Sequence, residues 1–321
     1  MLWLLVALFT SGLSVANAAG TNQLPASQAA RTDELVHAQI PNCRFINIGV
    51  VSNGRVVLTR AYGRSGLGDA FEYGSVSKPV TSTIIMQLRR EGRIKSLDDN
   101  VWTYVRRYRN AMPEAYGQSP LTLKHLLTHR SGIPHNDQPP VVDGRFNLKF
   151  RPGTAMQYST PGYGILGEVI EAVTGLSYDE AVAKYIGEPV GAPSFRAAPS
   201  FIAPGAFVYS TIGDMARFAI GIMDNRYMPE AVLYNEVLRP ETGTYGYGWS
   251  VANLDGNDLK AFHGGSNGLP RAHLLMKPRQ KNAVVILAQL KSYVALDLNA
   301  LAEQIMALIE SRTSDQETPP K

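Results

Sequence analysis

Apolar and polar residues near the start of the sequence follow a strand-like pattern. Residues 45–51 and 55–59 are rich in β-branched side chains and flank Ser52, Asn53 and Gly54, which predicts a β-hairpin. The same periodicity returns late in the chain, where short polar turns separate the apolar runs. Further strands are predicted there, at residues 246–251, 259–262, 271–276 and 283–287.

Between these regions the apolar positions recur at helical spacing. One apolar stripe begins at Ser75 and continues to Leu88, and Gly92 suits the end of that helix because glycine adopts positive φ at little cost. Capping patterns predict other helix starts at Ser96, Ser177 and Thr211. The remaining predicted helices cover residues 31–40, 121–128, 165–173 and 298–308.

The order of these elements predicts the fold class. Strands at both chain ends with helices between them indicate an α/β (α+β) protein, in which one antiparallel sheet is assembled from the two ends and flanked by helices. We predict a sheet lobe from residues 19–95 and 240–312 and an inserted, mainly helical lobe from residues 96–239. Residues 313–321 are predicted to form a disordered tail.

Composition narrows the class of protein. Of 321 residues, 45% are hydrophobic and 18% charged, which is typical of a folded globular chain. The net charge of +4 is spread without a basic block, so nucleic acid is not expected as a partner. Cys43 is the single cysteine, which excludes an internal disulfide and indicates a small buried side chain.

The first residues have the features of an export signal. Residues 1–9 are apolar, and Ala16-Asn17-Ala18 is a small-residue cleavage pattern, so residues 1–18 are predicted to be a signal peptide cut after Ala18. A periplasmic or secreted location follows from this prediction. No apolar run approaches the length of about 20 residues that a transmembrane helix needs, so no such helix is predicted.

Candidate chemistry begins with Ser75-Val-Ser-Lys78, the sole S-x-x-K in the chain. At a helix start this spacing puts a hydroxyl and an amine on one face, within reach of each other. A serine hydroxyl is inert until a neighbour removes its proton, and a lysine can do so if burial lowers its pKa. The motif alone is weak, because about one such tetrad is expected by chance in a chain of this length.

Three later segments give the motif its context. Residues 71–78 are followed, in order, by residues 126–134 (LLTHRSGIP), 152–160 (PGTAMQYST) and 263–265 (HGG). Over residues 30–310 the chain resembles the penicillin-recognising serine hydrolases, in the branch with class C β-lactamases, DD-carboxypeptidases, D-aminopeptidases and esterases. The resemblance implies the serine β-lactamase/DD-peptidase fold.

The resemblance also implies roles for site residues. Ser75 would be the acylated nucleophile, Lys78 its neighbouring base and Tyr158 the proton shuttle to the leaving group, with the base role open between the last two because their reference pKa values are similar. The oxyanion would be held by the backbone N–H groups of Ser75 and Ser266. Gly264 and Gly265, beside the catalytic candidate His263, would let substrate approach the strand closely.

Two positions depart from the strict pattern of these hydrolases. Thr160 stands where many relatives have the asparagine of Tyr-x-Asn, which casts doubt on recognition of a substrate amide. His263 stands where many have the lysine of Lys-Thr-Gly, and neutral imidazole binds a carboxylate less well than ammonium does. β-Lactams and D-Ala-D-Ala peptides are therefore less favoured substrates, although Arg271 could supply a compensating charge.

The combined interpretation is an exported serine hydrolase that forms a Ser75 acyl-enzyme on an ester or amide, as an esterase, a D-amino-acid peptidase or amidase, or a DD-carboxypeptidase-like enzyme. Its partner would be a small-molecule or peptide substrate, with cell-wall fragments as one source, and no cofactor is expected. One alternative is a β-lactamase proper. Another is a non-catalytic protein of the same fold that binds cell-wall fragments or another ligand.

Two rival sites are less favoured by the residues. A zinc site at His125, His129 and His135 lacks the glutamate of H-E-x-x-H, so no metal is expected. An α/β-hydrolase would need an HGG-type motif before a G-x-S-x-G elbow, whereas His263 follows residues 63–67, which lack the final glycine.

Overall fold

The computed structural model describes residues 21–117, 119–135, 138–254 and 256–316. The predicted signal peptide lies outside the described residues, as do the last five residues of the predicted tail. In the part of the chain that is described, no helix has the length and apolar character needed to cross a membrane.

The chain alternates short strands and helices. The strands are β1 (Cys43–Ser52), β2 (Arg55–Gly63), β3 (Phe71–Glu72), β4 (Val141–Val142), β5 (Arg145–Phe146), β6 (Arg196–Ala197), β7 (Val208–Ser210), β8 (Ser250–Ala252), β9 (Lys260–Ser266), β10 (Pro270–Lys277) and β11 (Asn282–Leu290). The α-helices are α1 (Ala26–His37), α2 (Ser77–Arg90), α3 (Leu123–Leu127), α4 (Thr160–Thr174), α5 (Tyr178–Val182), α6 (Ala203–Ala206), α7 (Ile212–Met223), α8 (Glu230–Val232) and α9 (Leu298–Gln316).

The main sheet is assembled from both ends of the chain, as predicted. Its strand order is β2-β1-β11-β10-β9-β8, and neighbouring strands run antiparallel. The predicted hairpin is confirmed as β1 and β2, joined through Asn53 and Gly54, which both have positive φ. Small sheets β3-β7-β6 and β4-β5 complete the α/β architecture.

The central strands are apolar on both faces because helices cover both. Helices α1 and α9 pack on one face, where Ile46 and Ile48 of β1 point. On the other face α7 packs closely enough that a side chain at Gly49 would lie 3.4 Å from the carbonyl oxygen of Ile212. Burial on both faces explains why the β1 sequence is almost continuously apolar rather than alternating.

Most predicted helix ends are confirmed. The helix that carries the apolar stripe from Ile165 ends at Gly175 in the left-handed conformation. Ser177 begins α5 with the predicted capping box, and the Thr211 hydroxyl accepts the N–H of Asp214 at the start of α7. Each cap satisfies backbone N–H groups that the first turn of a helix leaves without partners.

The helix predicted at Ser96 was wrong. The Ser96 N–H donates to Asp99 at 3.0 Å and the Asp98 N–H donates to the Ser96 hydroxyl at 3.1 Å, which closes a turn. A 3-10 turn, Val101–Thr103, follows instead of an α-helix. Side chains that cap a helix can also satisfy the backbone of an isolated turn, so the capping pattern alone did not distinguish the two.

The other differences concern lengths and boundaries. The strand predicted over residues 246–251 is confined to β8, because the chain turns at Gly248 with φ of 83°. Helix α9 continues to Gln316, into the segment predicted as a tail. Helix α7 belongs to the predicted helical lobe by sequence yet packs on the sheet, and the lobe boundaries stay a prediction.

Candidate active site

Ser75 lies in a 3-10 turn, Gly74–Val76, that leads directly into α2. The turn rests against β9, because a side chain at Gly74 would lie 2.7 Å from the backbone nitrogen of Ser266. Gly74 also has φ of 53°, so the close approach and the backbone conformation both require glycine. The neighbours of Ser75 are buried while Ser75 is half-buried, which places its hydroxyl at the boundary between the core and solvent.

Lys78 directs its amine at the Ser75 hydroxyl from one turn further along the chain. Nζ lies 3.1 Å from Oγ of Ser75, 3.3 Å from Oγ1 of Thr160 and 2.7 Å from the carbonyl oxygen of Gly205. The side chain is fully buried, and no carboxylate in the described residues forms an ion pair with it. Burial therefore lowers the pKa of Lys78 well below its usual value.

The contacts of Lys78 suit a neutral amine, which has two N–H groups and one lone pair. The Gly205 carbonyl can only accept, and the Thr160 hydroxyl can accept the second N–H. The lone pair is then left for the proton of the Ser75 hydroxyl. The geometry thus provides a base beside the candidate nucleophile.

Tyr158 covers Lys78 with the face of its ring, whose centroid lies 4.5 Å from Nζ. Burial raises the pKa of the Tyr158 phenol to about 12, and a hydrogen bond with Ser75 offsets part of that rise. The phenol therefore keeps its proton at neutral pH.

His263 lies on β9 with its ring centroid 6.3 Å from that of Tyr158. Its Nδ1 is 2.7 Å from the carbonyl oxygen of Gly264, which can only accept, so the proton is on Nδ1. Nε2 then accepts the hydroxyl of Tyr245 at 3.0 Å. Burial lowers the pKa of His263 to about 3, and the imidazole is neutral.

The edge of β9 beside Ser75 is open. Strand β8 pairs only with the first half of β9, where Ser250 opposes Phe262 and Ala252 opposes Lys260. Residues 263–266 have no strand on that side within the described part of the chain. The backbone groups of this segment that face away from β10 therefore have no strand partner, which suits pairing with an extended ligand.

Comparison with known proteins identifies the family. The model of the family described as Beta-lactamase matches residues 39–305. The chain belongs to the beta-lactamase family. The protein flp of Staphylococcus aureus (strain MRSA252) is 24% identical over 85% of this chain. This beta-lactamase-family chain spans only 64% of the length of that relative.

Solved structures show the same fold. The octameric penicillin-binding protein homologue from Pyrococcus abyssi superposes with a TM-score of 0.72 at 22% identity, over 89% of this chain and 77% of its own. EstCE1, described as a hydrolase with promiscuous acyltransferase activity, gives a TM-score of 0.74 at 16% identity, over 88% of this chain and 98% of its own. The predicted fold and family are confirmed.

Two predicted substrate contacts in this family member lie elsewhere. Thr160 is buried and accepts from Lys78, so its hydroxyl supports the amine and does not face substrate. Arg271 pairs with Ser266 in the register of β9 and β10, which puts it on the sheet face opposite His263. Its guanidinium donates to the carbonyl oxygens of Gly268 and Pro270. The compensating charge expected from Arg271 is therefore not in the site.

The two glycines predicted to admit substrate differ in what surrounds them. A side chain at Gly265 would overlap the carbonyl oxygen of Tyr73, so this glycine lets the Ser75 turn approach β9. Gly264 is exposed, and a side chain there would have only His273 nearby, at 3.8 Å. The close approach that Gly265 permits is thus between the Ser75 turn and β9, and not between β9 and substrate.

The sequence did not indicate Gly205, Tyr245 or the position of His129. Gly205 acts through its carbonyl oxygen, which any residue type carries, so no residue signal marks it. Tyr245 precedes the glycines at residues 246 and 248, a pattern that was interpreted as the start of a strand. His129 lies in the segment 126–134 that carries the resemblance and was weighed as a metal ligand, but its position beside Tyr158, with ring centroids 4.2 Å apart, was not predicted.

The alternative of a zinc site at His125, His129 and His135 is not favoured by the geometry of these residues. Among the described residues, no group of three or more histidine, cysteine, aspartate or glutamate side chains is placed to hold a metal ion. His125 closes the capping box of α3, and the Nδ1 of His129 accepts the N–H of Ser159.

Proposed function

We propose that this beta-lactamase-family protein is an exported serine hydrolase that acts on an ester or amide through an acyl-enzyme on Ser75. The observation that carries the proposal is the 3.1 Å contact between the Ser75 hydroxyl and the buried amine of Lys78. Lys78 has no counter-ion in the described residues, and its lowered pKa favours the neutral form that a base requires.

In the first step Oγ of Ser75 forms a bond to the carbonyl carbon of the substrate, and the serine proton passes to Nζ of Lys78. The carbonyl oxygen becomes an oxyanion, which the backbone N–H groups of Ser75 and Ser266 would stabilise. The close packing of the Gly74 turn against the Ser266 nitrogen supports this pair of donors. Each donor of this kind contributes roughly 10²–10³-fold to kcat.

In the second step the bond between the carbonyl carbon and the leaving oxygen or nitrogen breaks. The leaving group takes the phenol proton of Tyr158, which regains a proton from the ammonium of Lys78. Water then attacks the acyl carbon and gives a proton to Nζ of Lys78. The bond between the acyl carbon and Oγ of Ser75 breaks, Oγ takes that proton back from Lys78, and the acid product is released. Because burial raises its pKa to about 12, Tyr158 is protonated at neutral pH and holds the proton that the more strongly basic leaving oxygen or nitrogen takes.

The substrate class follows from charge at the site. His263 is neutral, and Arg271 lies on the other sheet face, so an acyl group without a carboxylate is favoured over a β-lactam. The open edge at residues 263–266 suits an extended chain such as a peptide. The description of EstCE1 as a hydrolase with promiscuous acyltransferase activity is in keeping with an acyl substrate, either an ester or an amide such as a cell-wall-derived peptide.

A serine-directed probe with intact-mass detection tests the nucleophile. We expect a fluorophosphonate to add once to the native chain, at Ser75, and not to add to Ser75→Ala, which should keep its melting temperature. Ser292→Ala, an exposed serine, is the matched control and should still react. An adduct on Ser75→Ala, or no adduct on the native chain, would contradict the proposal, and the latter would favour a binding protein of this fold.

The substrate class is tested by a side-by-side panel on the purified chain. It contains short-chain aryl esters, nitrocefin, D-Ala-D-Ala peptides and D-amino-acid amides. We expect kcat/KM to be highest for the esters or the amides. A preference for nitrocefin would instead indicate a β-lactamase proper.

Export is tested by expressing the full sequence and sequencing the amino terminus of the product. The proposal expects a mature chain that begins at Ala19 and accumulates outside the cytoplasm. A product retained in the cytoplasm with its first residues uncut would contradict it.

A further inference from the structure

His129 follows α3 and occupies an unusual backbone position. Its φ is 57°, a conformation that most side chains avoid, and its ring is buried. The ring contacts three tyrosines, with centroid distances of 4.2 Å to Tyr158, 4.8 Å to Tyr245 and 5.2 Å to Tyr163. The imidazole thus lies in the wall of the site, against the proposed proton donor.

The backbone on both sides of Tyr158 is attached to His129. The N–H of Gln157 donates to the carbonyl oxygen of His129 at 2.8 Å. The N–H of Ser159 donates to Nδ1 of the His129 ring at 3.1 Å. Together with the ring contact, these bonds fix Tyr158 from both neighbours and from one face.

The ring has the protonation state that this attachment needs. Because Nδ1 accepts the N–H of Ser159, the proton of a neutral imidazole is on Nε2. Burial holds the pKa of His129 well below its usual value. Nε2 is buried and has no hydrogen-bond partner among the described residues. The hydrogen bond that this ring contributes to the fold is therefore the one that Nδ1 accepts from the Ser159 N–H.

We propose that His129 is the positioning residue for Tyr158, which holds the phenol over Lys78 so that its proton reaches the leaving group. The proposal rests on the proposed function, because it assigns His129 a role through Tyr158. His129 itself does not touch substrate. Its removal should therefore slow the step in which Tyr158 donates a proton and leave substrate binding largely unchanged.

The test compares two replacements that both tolerate positive φ. His129→Asn keeps a side-chain acceptor near the Ser159 N–H, whereas His129→Gly keeps the backbone freedom and removes the acceptor and the ring. Activity is measured on one acyl group with good and poor leaving groups, a nitrophenyl ester and an alkyl ester. A good leaving group needs little protonation, so the ratio of the two kcat values reports on Tyr158.

We expect His129→Gly to lower kcat for the alkyl ester about 10²-fold, with much less effect on the nitrophenyl ester and on KM. The kcat of His129→Asn for the alkyl ester should be at least about tenfold higher than that of His129→Gly. Equal losses on both esters, or no difference between the Asn and Gly variants, would overturn the proposal. If the Gly variant does not fold, the Asn variant decides, because it should show the same leaving-group dependence in weaker form, and an unchanged ratio would overturn the proposal.

His273→Asn is the matched control. His273 is also a buried histidine whose Nε2 has no hydrogen-bond partner among the described residues, but it lies on the opposite face of the sheet. We expect this variant to change stability without changing the leaving-group ratio. The serine-directed probe separates the positioning role from the proposed function. A His129 variant that still forms the Ser75 adduct but does not show the expected change in the ratio of the two kcat values refutes only the positioning role.

Discussion

Lys78 is an amine that the fold keeps in its interior without a counter-ion in the described residues. In the unfolded chain it would hold its proton up to about pH 10.4. Between its lowered folded pKa and that value only the unfolded state binds the proton, so the free energy of unfolding rises with pH across this window. Below the folded pKa both states bind the proton, and burial of the charged amine then lowers the free energy of unfolding by its full amount.

Lys78→Met should therefore lower the activity and raise the stability of the folded protein. We expect hydrolysis to fall by at least about 10²-fold, because no base remains for Ser75. The melting temperature at pH 7 should rise, because the buried amine is gone, and the gain should shrink as the pH approaches 10.4. Calorimetry from pH 7 to 10 measures this, and a gain that grows with pH would contradict the assigned pKa direction.

His263→Lys tests whether charge at this position sets substrate choice. An ammonium on β9 would bind a substrate carboxylate through a charge-assisted hydrogen bond. We expect the ratio of kcat/KM for a carboxylate-bearing substrate to that for a neutral ester to rise by roughly tenfold, from a contribution of about 1.5–3 kcal/mol offset by burial. His263→Gln is the neutral control, and an equal rise in that variant would refute the electrostatic explanation.

Residue roles were predictable where a side chain carries the chemistry. Ser75 and Lys78 were identified from their spacing together with the three later segments that follow in order, and the structure puts their hydroxyl and amine in contact. Arg271 was misjudged because a single sequence does not give the register that sends it to the other sheet face. Thr160 was assigned to substrate because its contact with Lys78 joins residues far apart in sequence.

At the scale of elements, the contact between the Ser75 turn and β9 creates the site. Gly265→Ala should push the turn from the strand, because the added methyl group would overlap the carbonyl oxygen of Tyr73. We expect a loss of about 1–3 kcal/mol in the free energy of unfolding and of roughly 10²-fold in kcat, since the oxyanion donors move apart. Chemical denaturation and initial rates on an aryl ester measure the two effects.

Gly264→Ala is the matched neighbour. Its added methyl group would have 3.8 Å to the nearest atom, on the exposed face of the strand. Activity and stability should stay within about 0.5 kcal/mol of the native protein. Equal damage from both substitutions would show that the turn is not held by the contact at Gly265.

Helices and strands were predicted correctly where the local turn or capping residues and the pattern of apolar positions indicate the same element. The hairpin was confirmed because positive φ at Asn53 and Gly54 and apolar flanks indicate the same structure. The helix at Ser96 failed because the side chains of its capping pattern close an isolated turn instead. The strand predicted over residues 246–251 was too long, since its glycines turn the chain.

At the scale of the whole molecule, the sheet separates two cores. One contains the site helices, and the other lies between the sheet and helices α1 and α9. Ile305 is fully buried in the second core, on the face away from Ser75. Stability and catalysis should therefore respond separately to substitutions there.

Ile305→Ala should lower the free energy of unfolding by about 2–5 kcal/mol through the cavity it leaves. At temperatures where the variant is folded, kcat should match that of the native protein. Gln304→Ala, an exposed neighbour on the same helix, should change neither quantity. A lowered kcat in a fully folded Ile305→Ala would show that the two cores are coupled.

The fold class was predictable because the order of strands and helices leaves few ways to cover the apolar faces. The strand order β2-β1-β11-β10-β9-β8 was not, because it depends on pairings between residues at opposite ends of the chain. The layering of α7 on the sheet was missed for the same reason. Its apolar stripe fits a helical lobe and a sheet equally well.

The assembly of one sheet from both ends has a consequence for biosynthesis. Ser75 and Lys78 emerge early during translation, whereas β9 emerges only after most of the chain. A nascent chain therefore carries the reactive pair without the strand that would present a carbonyl to it. The proposed hydrolysis would therefore begin only once β9 has been synthesised and has packed against the Ser75 turn, and truncated products should be inert towards the acyl compounds of the cell that makes them.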